Sequence, residues 1–220
     1  SGLLYITEDA THFWRERSRR APHNLYTSTA LLRQFLAESG DAFDRPPDAG
    51  LHFATENSAA TQGEAGAGGG EPENTGGTGS ESVMVSEATA LDIAYKAAIC
   101  AASYRYDPSS RAYLHFIQGS PHTDGSTGRQ VAPRNVIVQY VAVTDSGLRD
   151  GTGASVPEYR VTGSGKCLVF TGGKVYHGTW RKDNRKSPTV FTDENGKPIL
   201  LNPGQTWIHL INEEIAVTYQ

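Results

Sequence analysis

The chain has 220 residues, 37% of them hydrophobic, and a formal net charge of −4. That length allows one large domain or two small ones, and the apolar share is low for a compact domain. No run of 18 apolar residues occurs, which excludes a membrane-spanning helix, and the mildly acidic whole gives no expectation of a nucleic-acid partner or of any cofactor.

The chain opens with Ser1 and no methionine, inside a strand-like LLYI at residues 3–6, which reads as a processed or partial product. RRAPHNLYTS follows at residues 19–28. Pro22 forbids a helix through it, so Arg20, His23 and Asn24 fall in an ordered turn. Beyond Tyr26, Leu31, Leu32, Phe35 and Leu36 recur at helical spacing. Thr27 or Ser28 supplies the N-cap and Gly40 the C-cap. A helix N-terminus carries partial positive charge and unpaired N–H groups, and nearby arginines strengthen its field. Arg20, His23, Asn24 and Tyr26 are therefore candidates for an anion-binding or partner-binding corner. The simpler alternative is that His23 and Asn24 satisfy local backbone groups.

From Ala54 to Ser82 the chain carries eight glycines and almost nothing to bury. Such a segment cannot offset its ordering entropy, so a disordered linker is expected there. It divides the chain into residues 1–53, 54–82 and 83–220.

After the linker the pattern turns from helical to β. Tyr104–Tyr106 and Tyr113–Ile117 flank an Asp-Pro-Ser-Ser turn, and Gln118-Gly119 follows. Asn135–Val143 is apolar on both faces apart from Gln139, as a central strand would be. Gly172-Gly173 joins Lys166–Thr171 to Lys174–Trp180 in a tight hairpin, and Asn195-Gly196 joins Val190–Thr192 to Pro198–Leu201. Thr206–Ile211 closes the series. The whole predicts a mostly antiparallel, β-rich C-terminal domain behind a smaller piece with one helix.

Hairpin register sharpens the candidates. A two-residue Gly172-Gly173 loop sets Phe170 opposite Val175, Leu168 opposite His177 and Gly165 opposite Trp180. Trp180 then covers a glycine, with Arg181 and Lys182 next along the strand. An aromatic beside cations is a sugar or nucleotide contact, and also ordinary strand-end composition. Arg160 to Lys197 carries eight basic residues against three acidic, whereas Asp41 to Asp92 carries ten acidic against one basic. A Gln118-Gly119 loop sets His115 opposite His122, with Asp124 two residues on. Two histidines and a carboxylate are a weak metal signal, and no metal is expected there.

Catalytic readings fare worse. Gly163-Ser164-Gly165-Lys166 lacks the spacing of a phosphate loop, and a strand follows it. No Gly-x-Ser-x-Gly elbow exists. Cys100 and Cys167 sit among apolar residues and read as two buried free thiols, with a disulfide as the alternative. No catalytic residue is assigned.

Three blocks carry a resemblance: FWRERSRRAPHNLYTS at 13–28, YRYDPSSRAYLHFIQGSPHTDGSTGRQVAPRNVIVQYV at 104–141, and GSGKCLVFTGGKVYHGTWRKDNRKSPTVFTDENGKPILLNPGQTWI at 163–208. In that order they resemble the YerB-like family of bacterial lipoproteins, a domain of unknown function. The resemblance implies a lipid-anchored N-terminal α/β domain before a β-rich C-terminal one. On that basis the fold class is α+β: residues 1–53 are the C-terminal part of the α/β domain, and 83–220 are the β-rich domain. It also implies an extracytoplasmic protein, held to the membrane by a lipid anchor in its full-length form and not by this chain. Arg20, His23, Asn24 and Tyr26 fall in its first motif, His122 and Asp124 in its second, Trp180 and Lys182 in its third. His115 and Cys167 depart from it, which weakens the metal and thiol readings.

The expected function is a non-enzymatic binding or scaffold protein for an envelope polymer or a protein partner. The alternative is an envelope hydrolase or transferase with His23 or His122 as acid/base. The composition of residues 54–82 predicts that limited proteolysis cuts there first and leaves two resistant parts. Protection of that tract equal to that of Asn135–Val143 would overturn the linker assignment.

Overall fold

The computed structural model describes residues 11–20, 24–38, 50–55, 85–151 and 153–220. The expectations for residues 3–6, for Pro22 and His23, for Gly40 and for residues 56–82 lie outside the described residues. The chain divides into two compact units, residues 1–47 and 48–220.

In the first unit β1 (Trp14–Arg15) and β2 (Leu25–Tyr26) pair antiparallel, with Trp14 opposite Tyr26. The helix α1 runs over Thr29–Glu38. Ser28 is its cap: the hydroxyl oxygen accepts the Leu31 N–H at 3.2 Å. Leu31, Leu32, Phe35 and Leu36 form the half-buried stripe that their spacing predicts. Phe35 meets the buried His12 edge-on, ring centroids 5.3 Å apart.

The second unit begins with β3 (His52–Phe53), β4 (Val85–Glu87), β5 (Ala90–Ala94), β6 (Ala102–Asp107), β7 (Ala112–Ile117) and β8 (Ser120–Pro121). It continues with β9 (Asn135–Tyr140), β10 (Ala142–Arg149), β11 (Ser155–Arg160), β12 (Gly163–Thr171) and β13 (Lys174–Lys182). It ends with β14 (Val190–Asp193), β15 (Leu200–Leu201), β16 (Thr206–Ile211) and β17 (Ala216–Tyr219). A six-stranded sheet runs β14-β13-β12-β9-β16. In it β4 pairs with the part of β13 that β14 leaves open. A five-stranded sheet runs β17-β5-β6-β7-β8. Among the described residues the chain is thus mostly β and dominated by antiparallel pairing, with one α-helix.

Burial explains why β9 and β12 read as continuous apolar runs. Val136, Val138, Leu168, Phe170 and Val175 pack against Leu91, Ile93, Tyr104 and Tyr113 of the other sheet. Alternate residues point the opposite way. Ile137, Cys167, Val169 and Trp180 form a second core with Phe191, Ile199 and Leu201. The larger sheet is therefore buried on both faces, and its central strands have no solvent side to make polar.

The Gly172-Gly173 hairpin has the expected register, with Phe170 opposite Val175, Leu168 opposite His177 and Gly165 opposite Trp180. Both glycines have positive φ, 61° and 76°, as a tight turn of this kind requires. The Asp107–Ser110 turn and the Asn195-Gly196 turn also join the strands that the sequence places around them.

Several features differ from the sequence reading. β16 lies parallel to β9, and β15 lies parallel to β3, so the chain is not a simple meander. His52–Phe53, counted with the N-terminal piece by sequence, pair with Leu200–Leu201 of the second unit, and Ala54 is buried beside them. Asn135–Val143 divides at Val141, where β10 leaves the sheet to pair with β11. β11 escaped notice because it contains Pro157, which argues against a sheet interior. It is tolerated because β11 is one edge of a two-stranded ribbon. Cys100 is exposed in a 3-10 turn, Ala98–Cys100, rather than buried, and it forms no disulfide with the buried Cys167.

Trp180 and Gly165 supply a sharp test of this packing. A Cβ on Gly165 would sit 2.7 Å from Trp180 Nε1 and 2.9 Å from the Tyr140 carbonyl oxygen. It would intrude on the indole N–H bond to that carbonyl, 2.7 Å long. Gly165→Ala is expected to cost about 2–4 kcal/mol in a denaturant melt, from overpacking plus a lost hydrogen bond. Gly125→Ala, which faces open space, is expected to stay within about 0.5 kcal/mol.

Candidate functional site

Two places in the second unit gather polar and aromatic side chains. The first lies between the sheets. His209 of β16 faces the sandwich interior and is buried. Its two ring nitrogens meet the Tyr95 hydroxyl and the Tyr104 hydroxyl, each at 2.7 Å. A neutral imidazole suits that position: one nitrogen donates to one tyrosine and the other accepts from the second. Tyr104 stacks flat on His115, ring centroids 4.5 Å apart. His115 Nδ1 lies 3.0 Å from His122 Nδ1, and Trp207 touches both rings. One of the two Nδ1 atoms therefore carries the proton and the other accepts it.

His115 is 2% exposed, and its Nε2 has no hydrogen-bond partner among the described residues. Burial pushes both His115 and His209 down to about 4, and the neighbouring imidazole adds to each shift. Both rings are held neutral at ordinary pH. Burial likewise pushes Tyr95 up to about 12 and Tyr104 well above the usual phenol range. Tyr95, Tyr104, His115 and His209 are therefore uncharged, and the last three are closed to solvent.

The second place is a cleft of about 440 Å³. Its floor comes from one face of the β12–β13 hairpin, where Lys166 pairs with Thr179 and Leu168 with His177. Tyr140 lies at one side, Glu194 at another, and Val217 and Tyr219 of β17 form a wall. The Lys166 ammonium sits 4.6 Å from the centre of the Tyr140 ring and 2.9 Å from Glu213. Tyr219 Oη meets His177 Nε2 at 2.9 Å. Cys167 also touches the cleft, but burial pushes its thiol up to about 12, so it stays protonated and unreactive. The lining thus mixes the apolar Leu168 and Val217 with a cation, a carboxylate, an imidazole and two phenols, a composition suited to holding a ligand.

The residues singled out by sequence fall in separate places. His122 joins His115, as the hairpin register requires. Asp124 does not join them: its carboxylate accepts the Ser126 and Thr127 N–H groups and the Thr127 hydroxyl within its own loop. Among the described residues no three His, Cys, Asp or Glu side chains gather as metal ligands would. Trp180 is 2% exposed in the second core. Arg181 is exposed and paired with Asp183 at 2.7 Å, and the Lys182 ammonium donates to the Ser187 carbonyl. In the first unit Arg20 is exposed, and Asn24 Oδ1 accepts from Arg15 at 2.8 Å. The Tyr26 ring stacks on Trp14, with the Arg19 guanidinium 5.8 Å above it.

Sequence reasoning passed over Tyr140, Lys166, His177, Glu194 and Tyr219. The signal for two of them, Lys166 and His177, was present, since the hairpin register puts Lys166, Leu168, His177 and Thr179 on one face. Nothing in the sequence announces the other wall, because β17 is four residues of ordinary composition at the end of the chain.

Residues 91–208 match the family described as "Protein of unknown function (DUF3048) C-terminal domain". A curated relative, "Putative lipoprotein YerB" of Bacillus subtilis (strain 168), is 25% identical over 206 residues, which are 92% of this chain and 52% of the relative. The chain therefore spans about half the length of the curated relative it matches. The crystal structure of the YerB protein from Bacillus subtilis superposes with a TM-score of 0.64 at 20% identity, over 96% of this chain and 60% of that one. At that identity the likeness is one of fold. The family resemblance read from the three sequence blocks is thereby shown.

The neutral histidines predict a pH dependence. In the unfolded chain both would titrate near the ordinary imidazole value of 6.5. Their folded values are depressed, so the unfolded state binds more protons as pH falls below about 6.5. The stability they contribute is full above that value and is lost as pH falls toward 4, by roughly 1.4 kcal/mol per pH unit per group. Urea midpoints measured across this window should fall, and His209→Gln should make the slope shallower. An unchanged slope in that variant would contradict the assignment.

Proposed function

We propose, on the premise that the chain belongs to the DUF3048 C-terminal domain family, that it is a non-enzymatic binding protein of the bacterial cell envelope. The observation that carries this reading is the cleft between the β12–β13 hairpin and β17, where Lys166, His177, Glu194 and Tyr219 converge around Leu168 and Val217. Its occupant is part of an envelope polymer or a protein partner. The chemistry of the lining favours holding over turnover. The thiol at its edge stays protonated, and His177 is engaged by the Tyr219 hydroxyl.

The name of the relative, a lipoprotein, supports placing the full-length protein outside the cytoplasm on a lipid anchor. In the same reading the first unit is the C-terminal part of the family's N-terminal α/β domain, which makes the complete protein α+β. The corner of Arg20, Asn24 and Tyr26 in the first unit remains a second contact in this reading, with Arg20 its exposed cation.

The test uses soluble peptidoglycan fragments that carry both sugar and peptide, titrated into the isotope-labelled 220-residue chain. Resonances of Lys166, His177, Glu194 and Tyr219 should shift together. Lys166→Ala and Glu194→Ala change exposed side chains and should leave the melting temperature nearly unchanged. Each should weaken binding about tenfold, equivalent to roughly 1.4 kcal/mol. Shifts confined to other surfaces would sink the reading, and cleavage of the fragment would return the hydrolase alternative.

A further inference from the structure

We infer that the cleft receives an extended peptide, which adds as a strand to the open edge of β17. This rests on the cleft being a binding site, and it names the partner class. Among the described residues β17 is the terminal strand of its sheet, paired on one side only, with β5.

The register shows which of its backbone groups remain available. Gln220 and Ala90 exchange both bonds, the Gln220 N–H to the Ala90 carbonyl at 3.1 Å and the Ala90 N–H to the Gln220 carbonyl at 2.9 Å. That is a hydrogen-bonded antiparallel pair, and such pairs alternate along a ladder with pairs whose groups point outward. Counting back along β17, Thr218 and Ala216 turn their backbone toward Asp92 and Ala94. Tyr219 and Val217, opposite Leu91 and Ile93, turn theirs to the free side.

Those two residues are the ones that line the cleft, and no residue of β5 does. No other strand of its sheet lines the cleft, so the cleft adjoins the open edge of β17. It presents two N–H and two C=O groups spaced i, i+2, the repeat that a strand partner matches and a sugar chain does not. The side chains around it set what the peptide carries. A residue pointing at the floor meets Leu168 and the Tyr140 ring, which suits an apolar or β-branched side chain. The Lys166 charge is already matched by Glu213 at 2.9 Å. The exposed Glu194 carboxylate, which forms no ion pair with a described residue, favours a lysine or arginine on the peptide.

The probe is a pool of capped pentapeptides that alternate threonine and valine, with lysine, glutamate or tyrosine at the centre. Amide hydrogen exchange on the 220-residue chain should show protection of the Val217 and Tyr219 N–H groups when peptide is added. The Thr218 amide, already facing β5, should change little. The lysine peptide should bind at least about fivefold better than the glutamate one, and Glu194→Gln should remove that preference. Val217→Pro deletes an outward N–H, which edge strands tolerate. It should weaken the lysine peptide by at least about fivefold in protein whose melting curve shows it folded. If Val217→Pro does not fold, the exchange measurement on the unaltered chain decides alone.

Absence of protection at Val217 and Tyr219 with every peptide at millimolar concentration overturns the inference. Shifts at Lys166 and His177 with a peptide-free glycan, without protection of those two amides, overturn it while leaving the cleft as a binding site. No response of the cleft to either probe removes both readings.

Discussion

Asn135 holds the second unit in register. It is fully buried, and its side-chain amide is engaged at both ends. The nitrogen donates to the Asn202 carbonyl at 2.9 Å and to the Thr206 hydroxyl at 3.1 Å. The oxygen accepts the Thr171 hydroxyl at 2.7 Å and the Asn202 N–H at 2.9 Å. A buried amide with one of these partners missing would leave a polar atom stranded in an apolar core, at a cost of about 1–3 kcal/mol. The arrangement therefore admits one relative placement of β9, β12 and the turn that leads into β16. It sits where β16 joins the sheet parallel to β9, a pairing with no hairpin of its own to set the register.

From that tie the rest of the unit follows by alternation. With β9 and β12 aligned, even-numbered residues of each face the smaller sheet and odd-numbered ones face the second core. The same alignment puts His209 and Trp207 of β16 inside, against Tyr104 and His115. It also puts Lys166, Leu168, His177 and Thr179 on the face that ends in the cleft. The histidine cluster and the cleft are thus two stretches of one surface of the larger sheet. Where the smaller sheet covers that surface the polar groups pair with each other and stay neutral. Where β17 ends the cover, they remain reachable.

Legibility from sequence tracks the range of the interactions involved. The hairpins at Gly172-Gly173 and Gln118-Gly119 were readable because a two-residue turn sets register locally. His115 opposite His122 and Gly165 opposite Trp180 came from that rule alone. Trp180 shows its limit: the register was readable, yet only the packing of Phe191 and Ile199 makes it a core residue instead of an exposed one. Asp124 shows a second limit. Two residues past His122 it shared a face on paper, but Ser126 and Thr127 offered nearer donors, and the carboxylate turned into its own loop. The parallel β9–β16 pairing and the β17 wall join residues far apart in the chain, and no local pattern encodes them.

Part of the charge run from Arg160 to Lys197 is matched once the strands form. Lys166 is matched by Glu213 and Arg181 by Asp183. The Lys182 ammonium turns to a carbonyl in its own turn. Alternation along β13 also sends Arg181 and Lys182 to opposite faces of the sheet, so neighbours in sequence do not add their fields. Surface pairs of this kind contribute little to stability and are readily screened by salt. Recognition in the cleft then has no strong field to rely on. It falls to shape, to single hydrogen bonds and to main-chain groups that a strand edge leaves open. Those are the features by which a partner is selected through its backbone geometry before its charge.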